Sequence, residues 1–479
     1  MATTTDAPSS DLAGVIDQMM HPYRGKMAEF PRLPAKGLAR SDVLATMESL
    51  RAQEEARWKN GFASGAVYNG DQEHVDFVTR AYGMHSQANP LHPDIWPSAA
   101  KFEAEIVSMT AHMLNGDQAG APVGSEDGVC GSVTSGGSES ILLAMKTYRD
   151  WARATKDITE PEIVVPVSAH AAFHKAAQYF NLKLQLVPVD DQFCVEIPAV
   201  EEAVNENTIA IVGSACNFPY GTIDAIDQLS EIAKRHNVGL HVDSCLGGYF
   251  LPWAERLGAP VPPFDFRLAG VTSMSCDTHK YGYAPKGTSV VLYRGAVLRR
   301  FQYFTTSDWP GGLYYSPTFS GSRPGGLSAA CWAALVSFGE SGYLDAAKRI
   351  LEAVDVMKRG VLEIPEFRLM GRPIGVFAFT SISDSLNMYQ VLDQMSARGW
   401  SLTGLQRPAG IHVSPTLRHA QPGVAERFAA DLKDAVAFVR ENPDFMGGMA
   451  PIYGLAATVP DRSLVHGMLQ QVMDVFYRV

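Results

Sequence analysis

The sequence predicts an α/β protein with a mostly parallel β-sheet covered by helices on both faces, followed by a smaller α+β unit. Between about Gly131 and Arg294, short apolar segments typical of buried strands alternate with helical segments. After about residue 343, a long helical segment leads into further short strands. We therefore predict an amino-terminal helical extension over 1–85, a large α/β domain over 86–342 and a small α+β domain over 343–479.

Two amphipathic helices precede the alternating region. Ser41 can cap the first, which runs to about residue 61 with apolar residues at Val43, Leu44 and Met47. The second starts at Pro97 and ends near residue 114. The first eleven or so residues are small and polar, and we expect them to be disordered.

The large domain follows in a regular order. Its predicted strands are EIVVPVS, KLQLVPVD, TIAIVGSA and VGLHVDSC, and its predicted helices are SESILLAMKTYRDWARA, HAAFHKAAQYFNL, IPAVEEAVNEN and IDQLSEIAKRHN. Ligands bind at the carboxyl ends of the strands in such sheets, so the polar residues that close the strands are the candidates for a site. In the small domain we predict a helix over 343–364, the strands FRLMG, IGVFAFTS and IHVSPT, and the helix NMYQVLDQMSARG.

Composition excludes several classes of protein. The 479 residues are 46% hydrophobic and carry a net charge of −11, which disfavours sequence-independent nucleic-acid binding. Six scattered cysteines lack CxxC spacing, so we expect reduced thiols in a cytoplasmic protein rather than a metal site or disulfides. The chain has no signal-peptide pattern and no run of about 18 apolar residues, which predicts a soluble protein.

A glycine pair marks a candidate phosphate site. Gly136 and Gly137 come directly before a helix that begins with Ser138. Free amides and the helix dipole at such a start bind phosphate, although a plain turn and cap would have the same sequence.

Three further residues lie at strand ends or in the turns that follow. Asp243 ends an apolar strand, where a carboxylate is costly unless it is paired; a turn or cap aspartate is the alternative. Lys280 lies in DTHKYGYAPKG, where burial would lower its pKa and make it a nucleophile able to form a Schiff base. If the carbonyl partner is the aldehyde of pyridoxal phosphate, Gly137 and Ser138 would bind its phosphate, Asp243 its ring nitrogen, and His170 would stack on the ring.

The ordered set of glycine turn, histidine, aspartate and lysine is more specific than any member alone. It resembles the fold-type I pyridoxal-phosphate enzymes related to glutamate and aromatic amino-acid decarboxylases, with a mostly parallel, seven-stranded type of sheet. Within that group the chain resembles the sphingosine-1-phosphate lyases from about Lys59 to its end. The resemblance rests on SGAVY, ANPLHPDIWPS, TSGGSESILLA, SAHAAFHKAAQYF, HVDSCLGG, DTHKYGYAPKG, SGSRPGG and YGLAATVPDR.

The resemblance implies roles for named residues. Lys280 would carry pyridoxal phosphate covalently, and His279 and Gly321 would contact the cofactor. The resemblance implies that six residues bind the substrate phosphate: Tyr68, Asn89, His92, Lys286, Ser322 and Tyr453. Lys286 is well placed to do so because it lies in the same turn as Lys280. The implied assembly is a homodimer in which SGSRPGG reaches the partner's site. His174 is interpreted as structural, and no metal is predicted.

The implied reaction cleaves the Cα–Cβ bond of a phosphorylated long-chain base into a fatty aldehyde and phosphoethanolamine. The extra cation and the His/Tyr cluster favour this lyase over an amino-acid decarboxylase, which has no substrate phosphate to bind. A cofactor-free scaffold is a third alternative. His92 could be a turn histidine, Tyr68 a packed aromatic and Lys286 a solvated lysine. The eukaryotic lyases carry an amino-terminal membrane anchor, and from this sequence we expect none here, which leaves substrate delivery and a peripheral membrane contact open.

Overall fold

The computed structural model describes residues 14, 17, 18, 20–383, 385–445 and 462–478. The first eleven residues and Tyr453 lie outside this range, so the predictions made for them are not addressed. The described chain forms two compact units, Met1–Ala56 with Met446–Val479, and Arg57–Phe445. None of the described helices is both long and apolar enough to cross a membrane.

Between residues 40 and 113, the described chain forms three α-helices before the first strand. Helix α1 (Arg40–Lys59) confirms the helix predicted from residue 41, but none of its residues is buried. Leu44 and Met47, on its apolar side, are 64% and 60% exposed. Helix α2 (Gln72–Met84) was not predicted; Asp71 caps it by accepting a hydrogen bond from the amide of His74 at 3.1 Å.

Helix α3 (Pro97–Met113) begins at the predicted proline. Ile106, Thr110 and Ala111 lie on its buried side. A short 3₁₀ turn, Gly116–Gln118, follows it and leads to the first strand.

A seven-stranded sheet forms the centre of the large unit and confirms the predicted fold class. Its strands are β1 (Val129–Thr134), β2 (Glu162–Pro166), β3 (Lys183–Val187), β4 (Thr208–Ser214), β5 (Gly239–Asp243), β6 (Ser273–Cys276) and β7 (Ser289–Arg294). They lie in the order β1-β7-β6-β5-β4-β2-β3. Neighbouring strands from β6 to β3 are parallel, whereas β7 is antiparallel to both β6 and β1. All carboxyl ends except that of β7 therefore face one edge.

The connecting helices cover the sheet. They are α4 (Gly137–Lys156), α5 (Ala172–Phe180), α6 (Ile197–Ala203), α7 (Ile226–His236), α8 (Leu251–Arg256) and α9 (Ala296–Arg300). Each of the four helices predicted here is present within a few residues of its predicted bounds. Tyr148 of α4 and Phe173 of α5 belong to one apolar core cluster with β2 and β4.

The remaining described elements are a hairpin, a long helix, a second sheet and three further helices. They are β8 (Phe304–Thr306), β9 (Tyr314–Ser316), α10 (Gly325–Leu362), β10 (Phe367–Leu369), β11 (Phe377–Ser381), α11 (Met388–Ala397), β12 (Thr403–Leu405), β13 (Gly410–Val413), α12 (Val424–Glu441) and α13 (Arg462–Phe476). The second sheet is antiparallel, in the order β10-β11-β13-β12. Helix α10 is interrupted at Gly339, which has a positive φ of 55°. The predicted boundary at residue 343 lies just beyond this interruption and stays a prediction.

Candidate active site

The start of α4 forms an open cradle at the carboxyl edge of the sheet. Gly136 has φ +154°, no side-chain cap, and nothing within 4 Å of where a Cβ would stand. At Gly137 a Cβ would lie 2.7 Å from both Asp277 Oδ1 and Cys245 Sγ, so only glycine fits. The first amides of a helix have no intrahelical acceptor. An anion can therefore approach the backbone amides of Gly137 and Ser138 directly.

Asp243 closes β5 beside this cradle and is 6% exposed. Its Oδ1 accepts hydrogen bonds from the Cys245 amide at 3.0 Å and the Ser275 hydroxyl at 3.1 Å. None of the described hydrogen bonds reaches its Oδ2. One carboxylate oxygen is thus held by the protein, and the other can accept a hydrogen bond from a ligand N–H.

Lys280 lies in the turn after β6 and forms an ion pair with Asp277. Its Nζ is 2.9 Å from Asp277 Oδ2, and the two side chains are 20% and 3% exposed. Burial acts to lower the pKa of Lys280, but the carboxylate of Asp277 outweighs it and raises that pKa above its usual value. The expected lowering of the Lys280 pKa is therefore wrong for the chain by itself.

Asp277 is the partner that the sequence interpretation overlooked. Burial acts to raise its pKa, yet the charges of Lys280 and His279 bring the pKa below its usual value. Its Oδ1 is buried without any hydrogen-bond partner in the described structure. The spacing of Asp277 and Lys280, three residues apart in a turn, was the signal that could have revealed the pair.

His279 also faces this carboxylate. Its Nδ1 lies 2.6 Å from the carbonyl oxygen of Thr288, so Nδ1 carries the proton and donates. Its Nε2 lies 3.8 Å from Asp277 Oδ2. Burial, and then the charges of Lys286 and Lys280, lower the pKa of His279.

His170 lies just before α5, where its Nδ1 accepts a hydrogen bond from the Ala172 amide at 3.1 Å. Its ring meets Phe218 edge to face, with centroids 6.3 Å apart. This contact and the backbone hydrogen bond fix the imidazole plane. His174 is exposed on α5.

Lys286 and Tyr68 lie together next to Lys280. The Nζ of Lys286 is 4.9 Å from the centre of the Tyr68 ring, a cation–π distance. Partial burial and then the positive charge of Lys280 lower the pKa of Lys286. Tyr68 is 5% exposed, and burial raises its pKa to about 12. Both side chains also line a cavity of about 350 Å³.

The turn that carries both lysines is held from two sides. Tyr283 adopts φ +58°, and its amide donates to the carbonyl of Lys280 at 3.0 Å. Its ring stacks on Tyr343 of α10, with centroids 5.8 Å apart and planes 11° apart. The hydroxyl of Tyr343 donates to the carbonyl of Gly282 at 2.9 Å. These contacts fix the backbone between Lys280 and Lys286.

The other predicted phosphate residues form a separate group. Asn89 donates to the Ser322 hydroxyl at 3.1 Å and accepts from the Arg323 amide at 3.1 Å. Gly321 lies beside Tyr314 and lines a cavity of about 330 Å³. His92 is exposed next to Trp96. None of the described hydrogen bonds of this group reaches Lys280 or Asp243.

The structure therefore places the predicted residues in two sets. One set lies around Lys280: Gly137, Ser138, Asp243, His279, Tyr68 and Lys286. His170 follows β2, which β4 separates from β5, and its described contacts reach Ala172 and Phe218 rather than Lys280. The other contains Asn89, His92, Gly321 and Ser322. Sequence reasoning missed Asp277 and Ser275, which contact Lys280 and Asp243.

Comparison with known proteins identifies the family. Residues 78–380 match the pyridoxal-dependent decarboxylase conserved domain. The sphingosine-1-phosphate lyase of Oryza sativa is 47% identical over 448 residues, which cover 92% of this chain and 81% of the rice protein. The chain belongs to the sphingosine-1-phosphate lyase family. This confirms the resemblance inferred from the sequence.

Solved structures agree with membership of the lyase family. The sphingosine-1-phosphate lyase of Burkholderia pseudomallei superposes with a TM-score of 0.89 at 44% identity, over 96% of this chain and 99% of that one. A glutamate decarboxylase of Lactobacillus brevis gives 0.74 at 20% identity, over 89% of this chain and 98% of that one. The similarity to this decarboxylase shows a shared fold and carries no information about activity.

The site of this family member fits pyridoxal phosphate, the cofactor of the family. The Gly136–Gly137 cradle is open to a phosphate, and Asp243 Oδ2 is free to accept from a protonated ring nitrogen. Lys280 offers a primary amine paired with Asp277, whose Oδ1 is a buried polar atom still lacking a partner in the described structure. These residues thus match three polar groups of the cofactor, namely its phosphate, ring nitrogen and aldehyde.

Proposed function

We propose that this protein is a pyridoxal-phosphate-dependent lyase that cleaves the Cα–Cβ bond of sphingosine 1-phosphate or a related phosphorylated long-chain base. The products are a fatty aldehyde and phosphoethanolamine. The observation that carries the proposal is the pairing of Lys280 with a second cation, Lys286, in one fixed turn, in a chain 47% identical to a lyase of this name. The first lysine suits the cofactor, and the second suits a phosphorylated substrate.

Pyridoxal phosphate, when bound through Lys280, supplies the electron sink that Cα–Cβ cleavage requires. The amides of Gly137 and Ser138 would bind its phosphate, and His279 would lie beside the same group. Asp243 would accept the ring N–H through Oδ2. His170 would stack on the ring. Gly321 would contact the cofactor from the second set of residues.

Asp277 would control the protonation state of the Lys280 amine. A charged ammonium has no lone pair and cannot attack a carbonyl. In the chain as described, Asp277, whose carboxylate lies next to Gly137, stabilises this charged form. Lys280 must therefore give up its proton to water before it reacts.

Lys286 and Tyr68 would bind the substrate phosphate. A charged hydrogen bond to phosphate contributes more than a neutral one, and Lys286 is kept near Tyr68 by the cation–π contact. Asn89, His92 and Ser322 would complete the phosphate site, with Tyr453 added by the family resemblance. An amino-acid decarboxylase has no substrate phosphate for these groups, and the likeness to a decarboxylase supports the scaffold only.

We further propose a homodimer in which the Asn89–Ser322 group serves the partner's site. Two observations support it. The hydrogen bonds of this group do not reach Lys280 in the same chain. The apolar side of α1 is exposed at Leu44 and Met47, as expected of a surface covered in an assembly.

A cytoplasmic location fits the six unpaired cysteines.

Product analysis tests the function. Purified protein with pyridoxal phosphate is incubated with sphinganine 1-phosphate, and the long-chain aldehyde is measured by mass spectrometry. Unphosphorylated sphinganine is the matched substrate control, and Lys280→Ala the matched protein control. Aldehyde from the phosphorylated base alone is expected. Carbon dioxide from glutamate or an aromatic amino acid, with no aldehyde, would instead establish the decarboxylase.

A second measurement tests the covalent anchor without turnover. Borohydride reduction of the protein with pyridoxal phosphate, followed by peptide mass spectrometry, is expected to place the cofactor on Lys280. Labelling of another lysine, or unchanged labelling of the Lys280→Ala protein, contradicts this role.

A further inference from the structure

Four buried polar side chains lie on one face of the sheet behind the cofactor site. The register pairs His241 on β5 with Ser273 on β6, and Asp243 with Ser275. Because side chains alternate along a strand, positions two apart share a face. All four residues are buried, and His241 and both serines have no exposed surface.

Hydrogen bonds connect these residues in series with Tyr148 of α4. The Tyr148 hydroxyl lies 2.6 Å from Ser273 Oγ, which lies 2.8 Å from His241 Nδ1. On the other side of the ring, His241 Nε2 lies 3.2 Å from Ser275 Oγ. Ser275 in turn donates to Asp243 Oδ1 at 3.1 Å. A continuous path therefore runs from α4 to the carboxylate.

The backbone makes room for this path. At Gly239 on β5, a Cβ would lie 2.2 Å from the Tyr148 ring, so glycine is needed for the tyrosine to reach the sheet. The Tyr148 hydroxyl also lies 2.7 Å from Thr272 Oγ1. Helix α4 thus forms the phosphate cradle with its first turn, and its Tyr148 begins the series of hydrogen bonds that ends at Asp243.

The proton positions follow from donor counts. A carboxylate can only accept, so Ser275 uses its one hydrogen on Asp243 and its oxygen must accept from His241 Nε2–H. Burial lowers the pKa of His241 to about 4, so the ring is neutral and Nδ1 has no proton. Nδ1 then accepts from Ser273, whose oxygen accepts from Tyr148.

Every hydrogen in the series therefore points toward Asp243. Hydrogen bonds aligned in this way polarise one another, and their dipoles stabilise negative charge at the end of the chain. Buried polar residues in the middle of a sheet are costly compared with apolar ones. A role in the site, rather than in stability, explains why the chain has them here.

We propose that His241 is a positioning residue that acts through Ser275 to hold Asp243 as an oriented carboxylate for the ring nitrogen of the cofactor. Ser273 and Tyr148 fix its tautomer. The inference rests on the proposed function, because it assumes that pyridoxal phosphate is the ligand of Asp243. It predicts that changes behind the carboxylate alter the protonation of the cofactor ring.

The test uses pyridoxal phosphate labelled with ¹⁵N at the ring nitrogen. Solid-state NMR of the loaded protein reports whether that nitrogen is protonated, and equilibrium dialysis gives the affinity. Ser275→Ala and His241→Leu are compared with wild type. His241→Gln is the conservative variant, because its amide can donate from near the Nε2 position. Ser214→Ala is the matched control, since this hydroxyl is buried on the adjacent strand without a hydrogen-bond partner in the described structure.

We expect the wild-type and Ser214→Ala proteins to give the resonance of a protonated ring. Ser275→Ala and His241→Leu should move it toward the unprotonated position and weaken cofactor affinity about tenfold, as expected for one lost hydrogen bond to a charged group. His241→Gln should restore part of both changes. Ser273→Ala should give a smaller change than Ser275→Ala, because it leaves the last hydrogen bond in place.

A ring resonance that stays protonated in Ser275→Ala, as in Ser214→Ala, overturns the inference. This comparison of two small changes remains decisive if His241→Leu does not fold, which thermal unfolding would reveal. A wild-type protein that makes aldehyde while the variants keep the wild-type resonance refutes the role of His241 only. A wild-type protein that binds no pyridoxal phosphate refutes the proposed function together with this inference.

Discussion

Replacing Asp277 by asparagine should change how Lys280 reacts with pyridoxal phosphate. The variant keeps the size of the side chain and removes its charge. At 2.9 Å, opposite charges in a protein of effective dielectric about 20 attract by about 6 kcal/mol. If the asparagine amide keeps half of this stabilisation, about 3 kcal/mol is lost. Since 1.36 kcal/mol corresponds to tenfold, the neutral fraction of Lys280 rises about 100-fold.

The pH dependence of cofactor loading shows in which direction Asp277 shifts the pKa of Lys280. In wild type, Asp277 raises the pKa of Lys280, so the neutral amine increases tenfold per pH unit across the range from about 7 to 9. In Asp277→Asn, the side chain no longer offsets burial as strongly, so that pKa falls. The neutral fraction should then be about 100-fold higher at every pH in the same range. Loading should be faster in the variant at neutral pH.

The assay follows the visible absorbance that forms when cofactor-free protein is mixed with pyridoxal phosphate, at several pH values. Lys280→Ala shows which signal depends on the amine. Asp150→Asn is the matched control, because it removes a carboxylate of another lysine–aspartate pair, 3.1 Å from Lys146 Nζ and outside the first turn of α4. If Asp277→Asn loads at the wild-type rate at every pH, the ion pair does not control the protonation of the amine.

Three further outcomes are expected. Lys286→Ala should raise KM for the phosphorylated base by at least about tenfold with cofactor affinity unchanged. Lys156→Ala, which removes another lysine lying over an aromatic ring, should leave KM as in wild type. Equal KM values for the two variants in steady-state aldehyde assays would remove Lys286 from the phosphate site. Gly137→Ala places a Cβ 2.7 Å from Asp277 Oδ1 and should weaken pyridoxal phosphate at least about tenfold in equilibrium dialysis; tight binding would argue against the cradle. Burial lowers the pKa of His419 to about 4, so below pH about 6.5 the unfolded chain binds a proton that the folded chain does not, which costs about 3 kcal/mol by pH 4. His419→Gln should flatten the decline of unfolding free energy with falling pH in urea titrations, and an unchanged slope would contradict this.

Local pattern was enough to find most of the sheet. The strand predicted over 208–215 is Thr208–Ser214, because an apolar run between turns leaves few alternatives. The segment before Lys280 was interpreted as a strand end without bounds, and the sequence did not show that Ser273 and Ser275 of this strand are buried. They are buried there because His241 lies opposite and satisfies them. Such pairing depends on register, which sequence does not give.

In the candidate site, too, the sequence predicted some features and missed others. The identity and order of His170, Asp243 and Lys280 were readable because each lies at a strand end or in the turn that follows. The pKa of Lys280 was not, because it depends on where the Asp277 carboxylate points. The helix α1 was predicted correctly from periodicity, but the exposure of Leu44 and Met47 was not, because periodicity does not say what covers a face.

The turn between the two lysines has one more consequence. Tyr283 and Tyr343 hold its backbone, so the interval from Lys280 to Lys286 cannot stretch to suit a ligand. On the roles proposed for the two lysines, that interval limits the distance at which the amine and the phosphate of the substrate can both be bound. An analogue with one more methylene between these groups would satisfy one cation and miss the other. Selection would then operate on the length of the head group, while the hydrocarbon chain could vary without reaching this turn.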